Sequence, residues 1–305
     1  MKKNKLALGT VQLGLEYGIN NRAGKPSRTE ALLILDKALA SGITVFDTAE
    51  AYGDAEEILG EFVASHALKD KIKIISKLSP NIIDGGEPKP EDIIKKEIKK
   101  SLSRLRVDVL DGFLLHTPAY FYNQSVIKGL EQCRSEGLIK HFGVSIYEVE
   151  HALDAVNSGL IDYIQIPYNI FDQRLNKTDF FKIAKQNNVT VFARSPFLQG
   201  LVLMEENRIP VNLSEVKKYL REFDLIINKH NFNRLEASLL FSYINPGINY
   251  VVFGVDNFNQ LKEAVNVITE EKIKFFEECG EELACKFLNI EKAIIFPSLW
   301  AKKAD

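Results

Sequence analysis

Cysteine is scarce in this chain of 305 residues: Cys133, Cys279 and Cys285 stand far apart, with no Cys-x-x-Cys pair. An odd, dispersed set excludes a disulfide framework and a zinc knuckle, and it fits a reducing cytoplasm. An excess of one charge is missing too, since 39 Lys and Arg against 41 Asp and Glu leave a net −2. That gives no electrostatic footprint for a nucleic acid partner or an anionic membrane. No run of about 18 apolar residues occurs, so no membrane-spanning helix is expected. The basic start Met1-Lys2-Lys3-Asn4-Lys5 is followed by an apolar stretch that stops at Gly9-Thr10. This is too short for a signal peptide's hydrophobic region, and the expected location is cytoplasmic. Two glycines separated by one residue occur nowhere, which removes the Gly-x-Gly-x-x-Gly dinucleotide fingerprint. The phosphate-loop ending Gly-Lys-Ser/Thr is absent as well. No Pro/Gly/Ser-rich linker divides the chain.

What is present is an alternation. Short β-rich apolar runs fall at Leu6–Val11, Thr44–Thr48, Ile72–Leu78, Val109–His116, His141–Ser145, Tyr163–Ile166, Val189–Arg194 and Tyr250–Gly254. Between them apolar residues recur at helical spacing. Leu32, Leu33, Leu35 and Ala38 predict one helix face. Pro90-Glu91-Asp92 opens another helix, with acid in its first turn and Ile93, Ile94, Ile98 and Leu102 inward. Leu153, Val156 and Leu160 predict a third, and Leu261, Ala264, Val265 and Ile268 the last of the repeat. Strands such as Ile72-Lys73-Ile74-Ile75 and Val251-Val252-Phe253 are apolar on nearly both faces, as in a parallel sheet covered by helices. Eight such units predict an α/β fold, a (β/α)8 TIM barrel, as one domain over residues 1–305; an open doubly wound sheet is the runner-up. Two segments exceed the repeat: a long loop at 198–214, and a helical tail at 270–305. The tail's Phe275, Phe276, Phe287, Phe296 and Trp300 are expected to pack rather than touch ligand.

In such a barrel the active site lies at the carboxyl ends of the strands. Three adjacent strands end there in Phe46-Asp47-Thr48-Ala49 (with Tyr52-Gly53 following), Ser76-Lys77, and Leu114-Leu115-His116-Thr117-Pro118. Asp47, Tyr52, Lys77 and His116 are therefore candidate catalytic residues. Tyrosine is a poor acid near neutrality, with a pKa of about 10. A lysine ammonium nearby favours phenolate, an aspartate holds that lysine, and a histidine can hydrogen-bond a carbonyl oxygen. The set protonates an oxygen on which negative charge develops, and it offers neither a nucleophile nor a metal site. Taken singly, Asp47 could cap a turn and His116 could be structural. A lysine ending a buried strand is harder to explain that way.

With these residues in view, the chain resembles the aldo-keto reductase family of (β/α)8 carbonyl reductases. The resemblance runs from Leu8-Gly9-Thr10 to about Ala264. Gly143-Val144-Ser145, Gln165-Ile166-Pro167-Tyr168-Asn169 and Arg194-Ser195-Pro196 follow the catalytic motifs in family order. It implies Tyr52 as general acid, tuned by Lys77 and Asp47, with His116 orienting the carbonyl of a small-molecule substrate. Gly9 and Thr10 belong to the implied cofactor site. Ser145 and Gln165 would hold a nicotinamide carboxamide, although Ile146 replaces the usual Asn. Arg194 stands where many members stack an aromatic on the nicotinamide. Ser195, Leu198 and Gly200 match the pyrophosphate loop; Gly254 opens the adenosine segment and Glu263 matches the adenine contact. The implied cofactor is NADP(H), with NAD(H) as the alternative. Gln260 takes the place of a phosphate-binding arginine, and Asp256 would repel a phosphate that it faced.

The segment from Gly9 to Gly18 is similar to bacterial members encoded with surface-sugar pathways, which implies a keto-sugar or aldose substrate. The few residues before the first strand leave little room for the N-terminal hairpin of many members. Tyr120, Phe121 and Tyr122 either form a substrate wall or pack under their loop. A nucleotide-sensing binding protein with little turnover, and a sugar isomerase or lyase on the same barrel, are the alternative functions.

Overall fold

The apolar runs close on themselves. In the computed structural model, which describes residues 4–69, 71–85 and 89–300, eight parallel strands form a closed barrel in sequence order. They are β1 (Leu6–Gly9), β2 (Val45–Asp47), β3 (Lys73–Leu78), β4 (Leu110–Leu115), β5 (Ile139–Ser145), β6 (Tyr163–Pro167), β7 (Thr190–Arg194) and β8 (Tyr250–Phe253). Helices alternate with them: α1 (Val11–Gly14), α2 (Arg28–Ala40), α3 (Ala55–Ser65), α4 (Pro90–Leu105), α5 (Gln124–Ser135), α6 (Val149–Asn157) and α7 (Phe180–Gln186). Both α8 (Val216–Lys229) and α9 (Arg234–Ile244) lie between β7 and β8, and α10 (Phe258–Val267), α11 (Glu270–Lys286) and α12 (Lys292–Ile295) follow β8. The eight predicted strands are all found, shorter or longer by a residue or two. The exception is the first, where Val11 opens α1 instead of extending β1.

Local chemistry sets the helix boundaries. Ser27 caps α2 by accepting from Glu30 N, and Pro90 with Glu91 and Asp92 begins α4. The buried face of α2 is Ala31, Ile34, Leu35 and Ala38, the i, i+3, i+4, i+7 stripe, while Leu33 is 51% exposed. The predicted face was rotated toward solvent by one position. The helix predicted through Leu160 ends at Asn157, because Ser158 and the positive-φ Gly159 turn the chain, and Leu160 is exposed.

Strand residues on one face recur every second position. Inside the barrel Ala7, Val45, Ile75, Leu114, Tyr163, Phe192, Tyr250 and Val252 form a separate apolar cluster. Phe192 packs on Tyr163 at 5.2 Å and stacks on Tyr250 at 5.0 Å between ring centroids. The much larger second cluster lies between sheet and helices. In the tail Phe276, Phe287, Phe296 and Trp300 are buried as expected, but Phe275 is not; residues 301–305 lie outside the described ones. The 198–214 loop forms three short 3-10 turns. Among the described residues no helix is long and apolar enough to cross a membrane.

A partly buried ion pair ties α3, β3 and α4 together. Glu56 on α3, 1% exposed, accepts from Ser76 Oγ of β3 at 2.5 Å and from Arg104 Nε of α4 at 2.6 Å. Removing the cation strands a buried carboxylate. Arg104→Met is expected to cost about 3 kcal/mol, read as a lowered midpoint in urea unfolding with an unchanged slope.

Candidate active site

The period of two that builds the apolar layer also builds the site. One inward step beyond Val45, Ile75, Tyr163, Phe192 and Val252 come Asp47, Lys77, Gln165, Arg194 and Gly254; His116 follows Leu114 in the same way. All but Lys77 line a single cleft of about 820 Å³ at the carboxyl end of the barrel. That is a volume typical of sites for cofactor-sized ligands.

Lys77 is fully buried and its ammonium is saturated. It donates to Asp47 Oδ1 and Oδ2, each at 2.7 Å, and to Thr48 O at 2.9 Å. Asp47 Oδ1 also accepts from Gln165 Nε2 at 2.7 Å, and Ser145 Oγ donates to Gln165 Oε1 at 3.3 Å. One hydrogen-bonded chain thus runs from β3 through β2 to β6 and β5.

Tyr52 stands over this chain, with Lys77 Nζ 4.9 Å from its ring centroid and the His116 ring edge-on at 6.1 Å. Its loop docks backbone to backbone on the end of α1. A Cβ on Gly14 would lie 1.8 Å from Tyr52 O, and one on Gly53, at φ +59°, would lie 2.4 Å from Gly14 O. Only glycine fits this contact.

Burial and the Asp47 charge push the Tyr52 phenol well above its ordinary range. The sequence reading expected Lys77 to lower it. The direction differs because desolvation of the buried phenol comes first, and the Asp47 charge beside Lys77 raises it further. Lys77 itself is lowered by burial, against the opposing pull of Asp47. Burial, with Lys77 and Arg194 nearby, brings His116 down to about 3, so its imidazole is neutral.

Gly9, Ser145, Arg194, Ser195, Gly200, Gly254, Gln260 and Glu263 line the same cleft. Thr10 and Leu198 do not: Thr10 is fully buried, with its N–H and Oγ1 both donating to Asp47 O, and Leu198 packs into the core. Arg194 donates to Ile146 O at 3.2 Å and Ser195 Oγ at 3.3 Å, and lies flat over Tyr147 at 4.2 Å. Of the aromatic loop, Tyr120 and Phe121 are buried away from the cleft and Tyr122 bonds Asp154, so no substrate wall forms there.

Tyr17, Tyr147, Phe197 and Leu203 line the cleft without having been singled out, as do Pro297 and Ser298 of the tail. Tyr147, two residues past Ser145, could have been found from the strand-end rule. A strap crosses the cleft where Tyr17 Oη accepts from Gln199 Nε2 at 2.9 Å and Ile19 N donates to Gln199 O at 3.0 Å.

The cleft is supplied for a polar ligand. Gln12 Oε1, Asn20 Oδ1 and His116 Nδ1 on its wall are buried without a partner in the protein. Together with the Ser145–Gln165 amide and the glycines at 200 and 254, this lining fits an elongated dinucleotide. Among the described residues no group of three or more His, Cys, Asp or Glu could hold a metal ion.

The model of the Aldo/keto reductase family matches residues 5–281. Uncharacterized oxidoreductase YqkF of Bacillus subtilis is 26% identical over 295 residues, covering 90% of this chain and 95% of its own. NADH-specific methylglyoxal reductase of Escherichia coli is 25% identical over 217 residues, 65% of each chain. Aldo-keto reductase AKR11C1 from Bacillus halodurans, solved in its holo form, shares the fold with a TM-score of 0.71 at 22% identity, covering 90% of this chain and 91% of that one. With the closed barrel excluding the open sheet and the family model spanning nearly the whole chain, the chain belongs to the aldo/keto reductase family and is an NAD(P)H-dependent oxidoreductase.

Proposed function

We propose that this enzyme reduces a small aldehyde or ketone to the alcohol, with Tyr52 as the proton donor. The observation that carries the reading is the convergence, at one end of the cleft, of a protonated phenol, a neutral imidazole and a saturated buried Lys77–Asp47 pair. A nicotinamide cofactor, when bound along Ser145, Gln165 and the glycine-lined wall, supplies the hydride. The chain supplies the rest. Tyr52 and His116 border the place where the carbonyl oxygen gathers charge. His116, uncharged, can donate one N–H without competing as an acid. Tyr52 gives its proton as the oxygen becomes basic, and Lys77 lies close enough to stabilise the phenolate left behind. Because the ammonium is held by three acceptors, it cannot move to meet the substrate, and the field that it provides is preorganised.

The sugar isomerase alternative would call for a free carboxylate near the histidine, and Asp47, which lines the cleft with His116, is held by Lys77 and Gln165. The family match also places the chain among oxidoreductases. The E. coli relative's name suggests small dicarbonyls as a first substrate panel.

Tyr52→Phe removes one hydroxyl and leaves the Lys77–Asp47–Gln165 chain in place. Turnover on a carbonyl substrate should fall by about 100-fold or more, while the cofactor dissociation constant changes little. Near-normal turnover in steady-state assays would remove Tyr52 from the mechanism.

The depressed His116 makes a second prediction. Unfolded chains take up a proton on histidine below about pH 6.5, but folded His116 does so only near pH 3. The unfolded state therefore binds more protons in that window, and stability falls as pH drops from about 6.5 toward 3. His116→Asn should flatten this decline in urea melts at pH 7 and pH 4.5; an unchanged decline would show that His116 titrates normally.

A further inference from the structure

We propose that the cleft selects NADH over NADPH, and that Asp256 and Gln260 are the residues that decide it; this rests on the reductase reading above. With the reacting ring beside Tyr52, the rest of a dinucleotide must extend along the cleft past Gly254 to the start of α10, where Asp256, Gln260 and Glu263 form the lining. A 2′-phosphate at that end needs cations or free N–H donors; among the described lining residues there none is Lys or Arg, and three of the nearby N–H groups are already taken.

Three donors there are already used by side chains of the protein itself. Asp256 N donates to Gln260 Oε1 at 2.7 Å, Gln260 N to Asn257 Oδ1 at 3.0 Å, and Phe258 N to Glu30 Oε1 at 3.5 Å. Gln260 is closed onto Asp256 from both ends of its amide, its Nε2 donating to Asp256 Oδ2 at 3.3 Å. The local charge is negative, from Asp256 and Glu263. Among the described cleft-lining residues the one permanent cation is Arg194, held at the end of β7 beneath Ile146 O and over Tyr147.

A phosphate carrying nearly two negative charges would be desolvated against carboxylates. A ribose hydroxyl, in contrast, is a neutral donor that an aspartate accepts well. The Asp256–Gln260 pair therefore discriminates in both directions: it accepts from the hydroxyl and repels the phosphate. NADP(H), which the family resemblance implies, is the cofactor that this arrangement disfavours.

Isothermal titration of the wild-type protein with NADH and with NADPH tests this without any substrate. NADH should bind at least about tenfold more tightly. Gln260→Arg, at an exposed position, should open the pair, add a cation and strengthen NADPH binding by about tenfold or more, with NADH changed less. Asp256→Asn, which keeps the side chain's shape, should move the ratio the same way, so the assignment stays testable if either variant fails to fold in a thermal melt. NADPH binding as tightly as NADH to the wild type overturns the inference and leaves the reductase reading standing. A wild-type preference for NADH that neither folded variant shifts also overturns it, because the selectivity then lies elsewhere. Failure of both nucleotides to bind overturns the reductase reading itself.

Discussion

The site depends on one buried ion pair. Bringing an ammonium and a carboxylate out of water costs more than their mutual attraction returns unless every remaining lone pair and proton is also satisfied. Here that condition is met on both sides. Lys77 places its three N–H groups on Asp47 and Thr48, and Asp47 takes a further hydrogen bond from Gln165. The pair is consequently rigid; it joins the adjacent strands β2 and β3, and Gln165 ties it to β6 across the barrel interior. Gln165 is 118 positions from Asp47 in sequence, so the chain that sets the Gln165 amide's orientation exists only once β6 and β2 share one interior. Any change that loosens Asp47 disturbs the ammonium under Tyr52 and the amide on the cleft wall together.

The same interior shows why chemistry and stability are separable in this fold. Below the ion pair, Tyr163, Phe192 and Tyr250 fill the barrel with stacked rings; one strand step above, the inward residues are Asp47, Lys77, His116, Ser145, Gln165 and Arg194. The apolar layer gives the polar layer a dry floor. Low polarity on one side is what lifts the Tyr52 phenol and suppresses His116, and both shifts are led by desolvation. A phenol that stays protonated and an imidazole that stays neutral are two consequences of one boundary.

Much of this was legible in the chain, for a physical reason. Strand interiors are read at period two, so a polar residue two positions past a buried apolar one, as in Val45-Phe46-Asp47 or Ile75-Ser76-Lys77, marks the layer where the core meets the cleft. The strands and the barrel follow from the alternation of apolar runs with helical spacing; Asp47, Lys77 and His116 follow from their places at strand ends, and Tyr52 from the loop after β2. Direction of a pKa shift does not, because it depends on what Lys77 touches, and its contacts with Asp47 and Thr48 are tertiary. The strap was equally hidden: Tyr17 and Gln199 are 182 positions apart. Ser195, Leu198 and Gln199 all sit at positive φ without being glycine, which no turn signature announces. The rotated face of α2 is a different kind of miss. Leu32, Leu33 and Leu35 outweighed Ala31 by hydrophobicity, although the stripe that packs is set by spacing.

The backbone strain in the β7 loop has a structural counterpart across the cleft. A residue with a side chain held in the left-handed region costs on the order of 1 kcal/mol or more, and three such residues occur within five positions. Asn169 Nδ2 donates to Ser195 O and Leu198 packs into the core, while Gln199 is held by the loop after β1. Gln199 is bonded through both its side chain and its carbonyl, and Gly200 packs so closely on Asn20 that a Cβ would lie 2.7 Å from it. The catalytic layer is therefore built on strands whose positions are set by closure, while the cover of the cleft is built from two loops that meet at Gln199 and Gly200. The Lys77–Asp47 pair belongs to the strands and takes no part in that cover.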